Sequence, residues 1–102
     1  MLELAIGIIF AFCALGSALC MGIGAWGPAI GEGNAVAKSC EAIARQPEAK
    51  SSITSTMILG CAITESTGIY SLVISILLIF VAPGMMVDLL VDAVKEVKGL
   101  GL

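Results

Sequence analysis

The chain has 102 residues, of which 59% are hydrophobic and 13% charged. Its mean hydropathy is +1.08. Soluble domains carry roughly 25% charged residues, so a water-exposed globular domain is excluded, while two membrane helices account for most of the length. The net charge of −3 argues against a nucleic-acid partner. The absence of His removes the commonest general base and metal ligand.

The first apolar run, Leu4 to Gly31, carries no charge and exceeds the about 20 residues a spanning helix needs. It is too long for a secretory leader, and Glu3 stands where a leader would be basic, so the segment is expected to be retained. Cys13, Gly16, Cys20, Gly24, Gly27, Gly31 and Ala35 recur every three or four residues. Such a stripe lets helix backbones approach closely in lipid, which marks Gly16, Gly24, Gly27 and Gly31 as packing positions. Pro28 falls inside the run, where membrane helices tolerate it. The four cysteines, Cys13, Cys20, Cys40 and Cys61, form no CxxC pair and read as small buried hydrophobes.

Residues 38–50 hold three of the five basic side chains, Lys38, Arg45 and Lys50. An excess of Lys and Arg predicts a cytoplasmic loop with both termini outside. Arg45-Gln46-Pro47-Glu48 reads as the turn, with Pro47 opening the second helix. The expected boundaries are a transmembrane hairpin over 1–84, with helix 1 about 3–43, a loop about 44–48 and helix 2 about 49–82. Pro83-Gly84 ends or kinks the span. Beyond it, over 85–102, Met86, Leu89, Leu90, Ala93, Val94 and Val97 fall on one helical face. This extension is expected to lie as a short amphipathic helix on the outer membrane surface.

Two carboxylates carry the chemistry. Glu65 is the only charged side chain between Lys50 and Asp88, and a bare charge at mid-bilayer costs about 2.5–3.5 kcal/mol on insertion scales. A proton or a cation must neutralise it. Thr64, Ser66, Thr67, Tyr70 and Ser71 surround it with hydroxyls, the oxygen ligands a hard cation takes when it sheds water. Glu32 ends the first apolar run between Gly31 and Gly33. Counted from the turn, both carboxylates rise ~20–30 Å, with an offset of roughly 7 Å. Their side chains lean toward one another across an antiparallel pair, within one hairpin or across two. Two carboxylates in one dry site cannot both stay ionised without compensation. One proton plus one monovalent cation makes the site neutral, as do two protons.

These residues resemble those of a known family. Gly27-Pro28-Ala29-Ile30-Gly31-Glu32-Gly33, Ala44-Arg45-Gln46-Pro47-Glu48 and Ala62-Ile63-Thr64-Glu65-Ser66-Thr67-Gly68-Ile69-Tyr70 are similar to stretches of the rotor-ring proteolipid of rotary ATP synthases, over roughly residues 14–83. The resemblance implies an all-α two-helix hairpin that assembles into a homo-oligomeric ring. It implies a non-catalytic rotor protein in the inner membrane of a bacterium. Partners would be identical copies, the stator membrane subunit, membrane lipid, and the central stalk, which would meet Arg45, Gln46 and Pro47. The second helix resembles the sodium-translocating branch. That likeness implies Glu65, the Ser66 hydroxyl and the Ile63 carbonyl as sodium ligands, a coordinating water at Thr67, and Tyr70 steadying Glu65. Glu32 would complete a two-carboxylate site. A proton-carrying version of the same ring is the alternative. A small two-helix transporter is a second one, and the five aromatic residues are few for its substrate pocket. The family's first helix often places Gly at every second position, where Ala25 and Ala29 stand here, and the 85–102 extension has no counterpart.

Overall fold

The computed structural model describes residues 1–101. Every regular element among them is helical: α1 (Leu2–Arg45), a short 3-10 turn (Pro47–Ala49), α2 (Lys50–Phe80) and α3 (Ala82–Gly99). The chain forms an all-α hairpin of long apolar helices. At 1.5 Å per residue α1 is about 66 Å long, roughly twice a bilayer's ~30 Å hydrocarbon core.

Proline chemistry sets the breaks. α1 stops because Gln46 precedes Pro47, whose ring disfavours helical geometry in the residue before it; Gln46 takes φ −135° and ψ 73°. Arg45 sits in the last turn of α1, where a cation complements the helix dipole. Pro47 and Glu48 then open the next turn, a first-turn position where a proline has no N–H to waste. Pro28 stays within α1 and leaves the Gly24 carbonyl without its usual donor.

α2 gives out at Phe80, slightly short of the expected end, because Pro83 cannot donate to the Ile79 carbonyl. The backbone is not cut there. Val81 N–H donates to Leu77 O at 3.0 Å and Met85 N–H to Val81 O at 3.3 Å, so α3 resumes at once. α3 closes at Gly101, whose φ of +74° is the left-handed geometry that glycine adopts without a Cβ penalty. Leu102, the last residue of the expected extension, lies outside the described residues.

The helices pair within two compact units, residues 21–72 and residues 1–20 with 73–102. In the first, α1 and α2 run back from the turn. Gly31 faces Thr64, whose Cγ2 would lie 4.0 Å from an added Cβ, and a Cβ on Gly24 would overlap the Ser71 side chain. In the second, an added Gly16 Cβ would lie 3.8 Å from Leu78. Ser17 and Ser75, both buried, exchange hydrogen bonds across the pair. Ser17 Oγ donates to Ser75 O at 3.0 Å, and Ser75 Oγ to Ser17 O at 3.1 Å.

The extension is helical, as α3. Leu90, Val94 and Lys98 of α3, spaced by four on one ridge, line a groove with Met1 and with Leu2 and Ala5 of α1.

Little of the chain is buried. Its accessible surface is 7439 Å², against about 5400 Å² for a folded soluble chain of 10.4 kDa. Leu4, Phe12, Ile23, Trp26, Ile63 and Phe80 are all more than 60% exposed. Both long helical stretches are apolar enough to cross a membrane, and only 11% of their most apolar windows is buried. The core helix of a soluble protein would be mostly covered, so these faces await lipid or further protein.

Candidate ion-binding site

Glu32 and Glu65 meet. The turn at Gln46 sends the two helices back antiparallel, and the side chains lean toward one another from opposite arms of the hairpin, across an offset of roughly 7 Å. The two carboxyl groups approach one another across the hairpin and line the same two grooves. Glu32 is half-buried and Glu65 exposed. Oε1 of Glu32 is itself buried and has no hydrogen-bond partner, so one strong acceptor in the site stays unused.

Two grooves share this pair. One, of about 340 Å³, runs past Pro28, Ala29, Gly68 and Leu72; the other runs past Val36, Met57, Cys61 and Ala62. A third and larger groove, about 530 Å³, leads from Glu32 toward the loop past Ser39, Ser52, Thr56 and Thr64. The carboxyl pair is thus reached along apolar walls with hydroxyls on the loop side.

The hydroxyls of α2 bend back onto their own helix. Ser66 Oγ donates to Ile63 O at 2.6 Å, Thr67 Oγ1 to Thr64 O at 2.9 Å, and Thr64 Oγ1 to Gly60 O at 3.0 Å. Ser66 Oγ and Ile63 O are therefore already neighbours, and a rotation of the hydroxyl hydrogen would aim lone pairs of both at one point. Ile63, Thr67 and Tyr70 are exposed. Among the described residues no hydrogen bond joins the Tyr70 hydroxyl to Glu65, so a single chain brings the two carboxylates together and leaves Tyr70 apart from them.

Gly68 is the residue that sequence reasoning passed over. It is buried, lines a groove with both carboxylates, and an added Cβ would lie 3.9 Å from Glu65 Oε1. Its place three residues after Glu65, on the same helical face, was the available signal. Of the four packing glycines, Gly16, Gly24 and Gly31 face the opposite helix, whereas a Cβ on Gly27 would meet nothing within 4 Å. At the turn, Arg45, Gln46 and Pro47 are all exposed.

Comparison with known proteins gives this geometry its context. The family described as the C subunit of ATP synthase matches residues 15–78. The chain is 49% identical over 77 residues to the ATP synthase c subunit of Petrotoga mobilis, covering 76% of this chain and 80% of that one. It is 51% identical over 79 residues to the ATP synthase c subunit of Thermotoga maritima, covering 78% and 93%. With the second ATP synthase c subunit of Cereibacter sphaeroides it shares 54% identity over 69 residues, covering 68% and 83%. A two-helix hairpin with paired carboxylates, matched over most of its length by such relatives, belongs to the family of ATP synthase c subunits, whose members form the membrane rotor ring.

Proposed function

We propose that sodium is the ion carried by this rotor protein, held at Glu65 with Glu32 protonated beside it. The observation that supports the reading is the approach of the two carboxyl groups, which line the same two grooves, with one buried, unused oxygen on Glu32. A pair sharing one proton keeps one negative charge, which a monovalent cation balances. Ser66 Oγ and Ile63 O, 2.6 Å apart, supply a neutral oxygen couple on the same helix. A proton needs no such couple; a hard cation does. In the ring Glu65 would load the ion, carry it through the rotation and release it, coupling ion flow to ATP synthesis or hydrolysis in the catalytic head. The rotor protein makes and breaks no bond in ATP itself.

The exposed Arg45-Gln46-Pro47 turn would seat on the central stalk. The exposed faces of α1 and α2 would meet identical copies, the stator membrane subunit and lipid. The loop would be cytoplasmic and both termini outside, in a bacterial inner membrane. Thr67 would hold a water, and Tyr70 would approach Glu65 only once a neighbouring copy confines it. A proton-carrying ring is the second reading, favoured by the same carboxyl pair, since two protons neutralise it as well.

Carbodiimide labelling of Glu65 separates the two. The reagent attacks a protonated carboxyl. Bound sodium displaces that proton, so sodium is expected to protect, and more strongly as pH rises and proton competition falls. Glu32→Gln retains sodium protection, because the amide donates the same hydrogen bond. Glu65→Gln abolishes labelling and transport. Labelling indifferent to sodium at every pH refutes the sodium reading and leaves the proton ring.

A further inference from the structure

The helix α3 has a second apolar ridge. Leu90 and Val94 are half-buried and line the groove with the start of α1. Leu89, Ala93 and Val97 recur at steps of four, and Leu100 continues the series at the cap. All four are exposed, Leu89 and Leu100 at 69% each, whereas Met86 lines a groove with Ile8 and Phe12 of its own α1. The rest of the helix surface is charged: Asp88, Asp92, Lys95 and Glu96 occupy a third face. There Lys95 Nζ and Asp92 Oδ1 lie 3.6 Å apart with both side chains more than 70% exposed.

Depth decides what can cover that ridge. Between Lys50 and Asp88 the chain has one charge, Glu65, and that apolar stretch already exceeds a spanning length. From Asp88 to Lys98 there are five charges in eleven residues, so α3 stands among water and headgroups. A helix free to lie flat would bury its apolar face in the interface, but α3 belongs to one compact unit with the start of α1, and Leu90 and Val94 face the groove between them. Its second ridge is therefore aimed sideways. Members of this family stand side by side in a ring, so the surface next to α3 belongs to another copy. Such a copy offers an apolar partner at the same level: Leu4 of α1, 62% exposed, next to the Leu2 and Ala5 that line the groove with Leu90 and Val94. The family match stops at residue 78, and the ridge begins eleven residues later.

We propose that α3 packs through Leu89, Ala93, Val97 and Leu100 against the adjacent copy of this chain, forming a collar that extends the ring beyond the membrane. The inference rests on ring assembly and not on which ion the ring carries.

Maleimide accessibility tests it. Leu89→Cys is made in a chain whose four native cysteines are alanine, with Asp92→Cys as the solvated control. Each is treated as the intact ring and as single chains dissociated from it in the same mild detergent, with helicity checked by circular dichroism. Labelling of Leu89→Cys is expected to be lost in the ring and regained on dissociation, while Asp92→Cys reacts in both. Reaction in both states at Leu89→Cys means a bare face and overturns the collar. Protection in both states means that detergent or lipid covers the ridge, which overturns it equally. Protection found only in the whole ATP synthase assigns the ridge to a different protein of the complex, and also overturns it. As a second measure, Leu89→Lys lowers the temperature at which the ring dissociates and Asp92→Asn does not. Sodium protection of Glu65 in the surviving Leu89→Lys ring is unchanged, so a failed collar and a failed ion assignment give different results.

Discussion

Substitution of Gly24 by Ala probes the hairpin at its tightest described point. An added Cβ would lie 2.5 Å from Ser71 Cβ and closer still to Ser71 Oγ. Carbon atoms rest about 3.5–4.0 Å apart. Rotating the Ser71 side chain removes the oxygen but leaves Cβ in place, so the helices must separate by about 1 Å at this level. Overpacking of this kind costs about 1–3 kcal/mol, a weakening of the local pairing by roughly tenfold to a hundredfold. The cost recurs in every copy of a ring. Gly24→Ala is therefore expected to lower the yield of assembled ring and its dissociation temperature, read by electrophoresis in mild detergent. The cause is specific enough to be reversed. Adding Ser71→Gly removes the opposing Cβ and restores the ring to the stability of Ser71→Gly alone, whereas Ser71→Ala does not. Equal rescue by both, or a Gly24→Ala ring that dissociates at the wild-type temperature, would refute the close approach.

Three further outcomes follow from other contacts. Gly27→Leu leaves the single hairpin intact, because nothing lies within 4 Å of a Cβ there. It blocks ring closure if that open face is a seam between copies; a normal ring on native gels would show that the face meets lipid or the lumen. Ser17→Ala and Ser75→Ala each remove one interhelical hydrogen bond to a backbone carbonyl, worth about 0.6 kcal/mol on average and at most about 1.7 in membranes, so each lowers thermal stability by that order and the double substitution is additive; no loss in either single variant would refute the bonds. Glu48→Cys, in a chain without native cysteines, reacts with an impermeant thiol reagent only from the cytoplasmic side; labelling from outside reverses the topology.

The all-helical hairpin was legible because lipid leaves few choices. Long apolar runs without charge must satisfy their own backbone, and proline interrupts them at Gln46-Pro47 and before Pro83 by known stereochemistry. The approach of Glu32 and Glu65 was legible as well, since a 1.5 Å rise puts them within roughly 7 Å in height above one turn and their side chains lean toward each other. What stayed hidden depends on which faces the helices turn toward each other. Ser17 and Ser75 look like two unrelated polar residues in apolar runs until the register pairs them. Gly68 looks like filler until its backbone is seen beside Glu65. The apolar residues of the extension read as one face, yet they divide into two ridges, Leu90 with Val94 on the groove shared with α1 and Leu89 with Val97 beside it, and only the position of α1 tells them apart.

The crossed serines have a mechanical meaning. Each hydroxyl is bonded to the other helix's carbonyl, so the two bonds hold only at one axial setting. Sliding either helix by a single residue, about 1.5 Å, pulls both hydroxyls off their carbonyls at once, and the hydrocarbon around them offers no water to take over. Apolar contacts tolerate a small slide more readily, since one aliphatic neighbour replaces another. Ser17 and Ser75 act as a dowel pin: they add little to the strength of the joint and fix its axial setting.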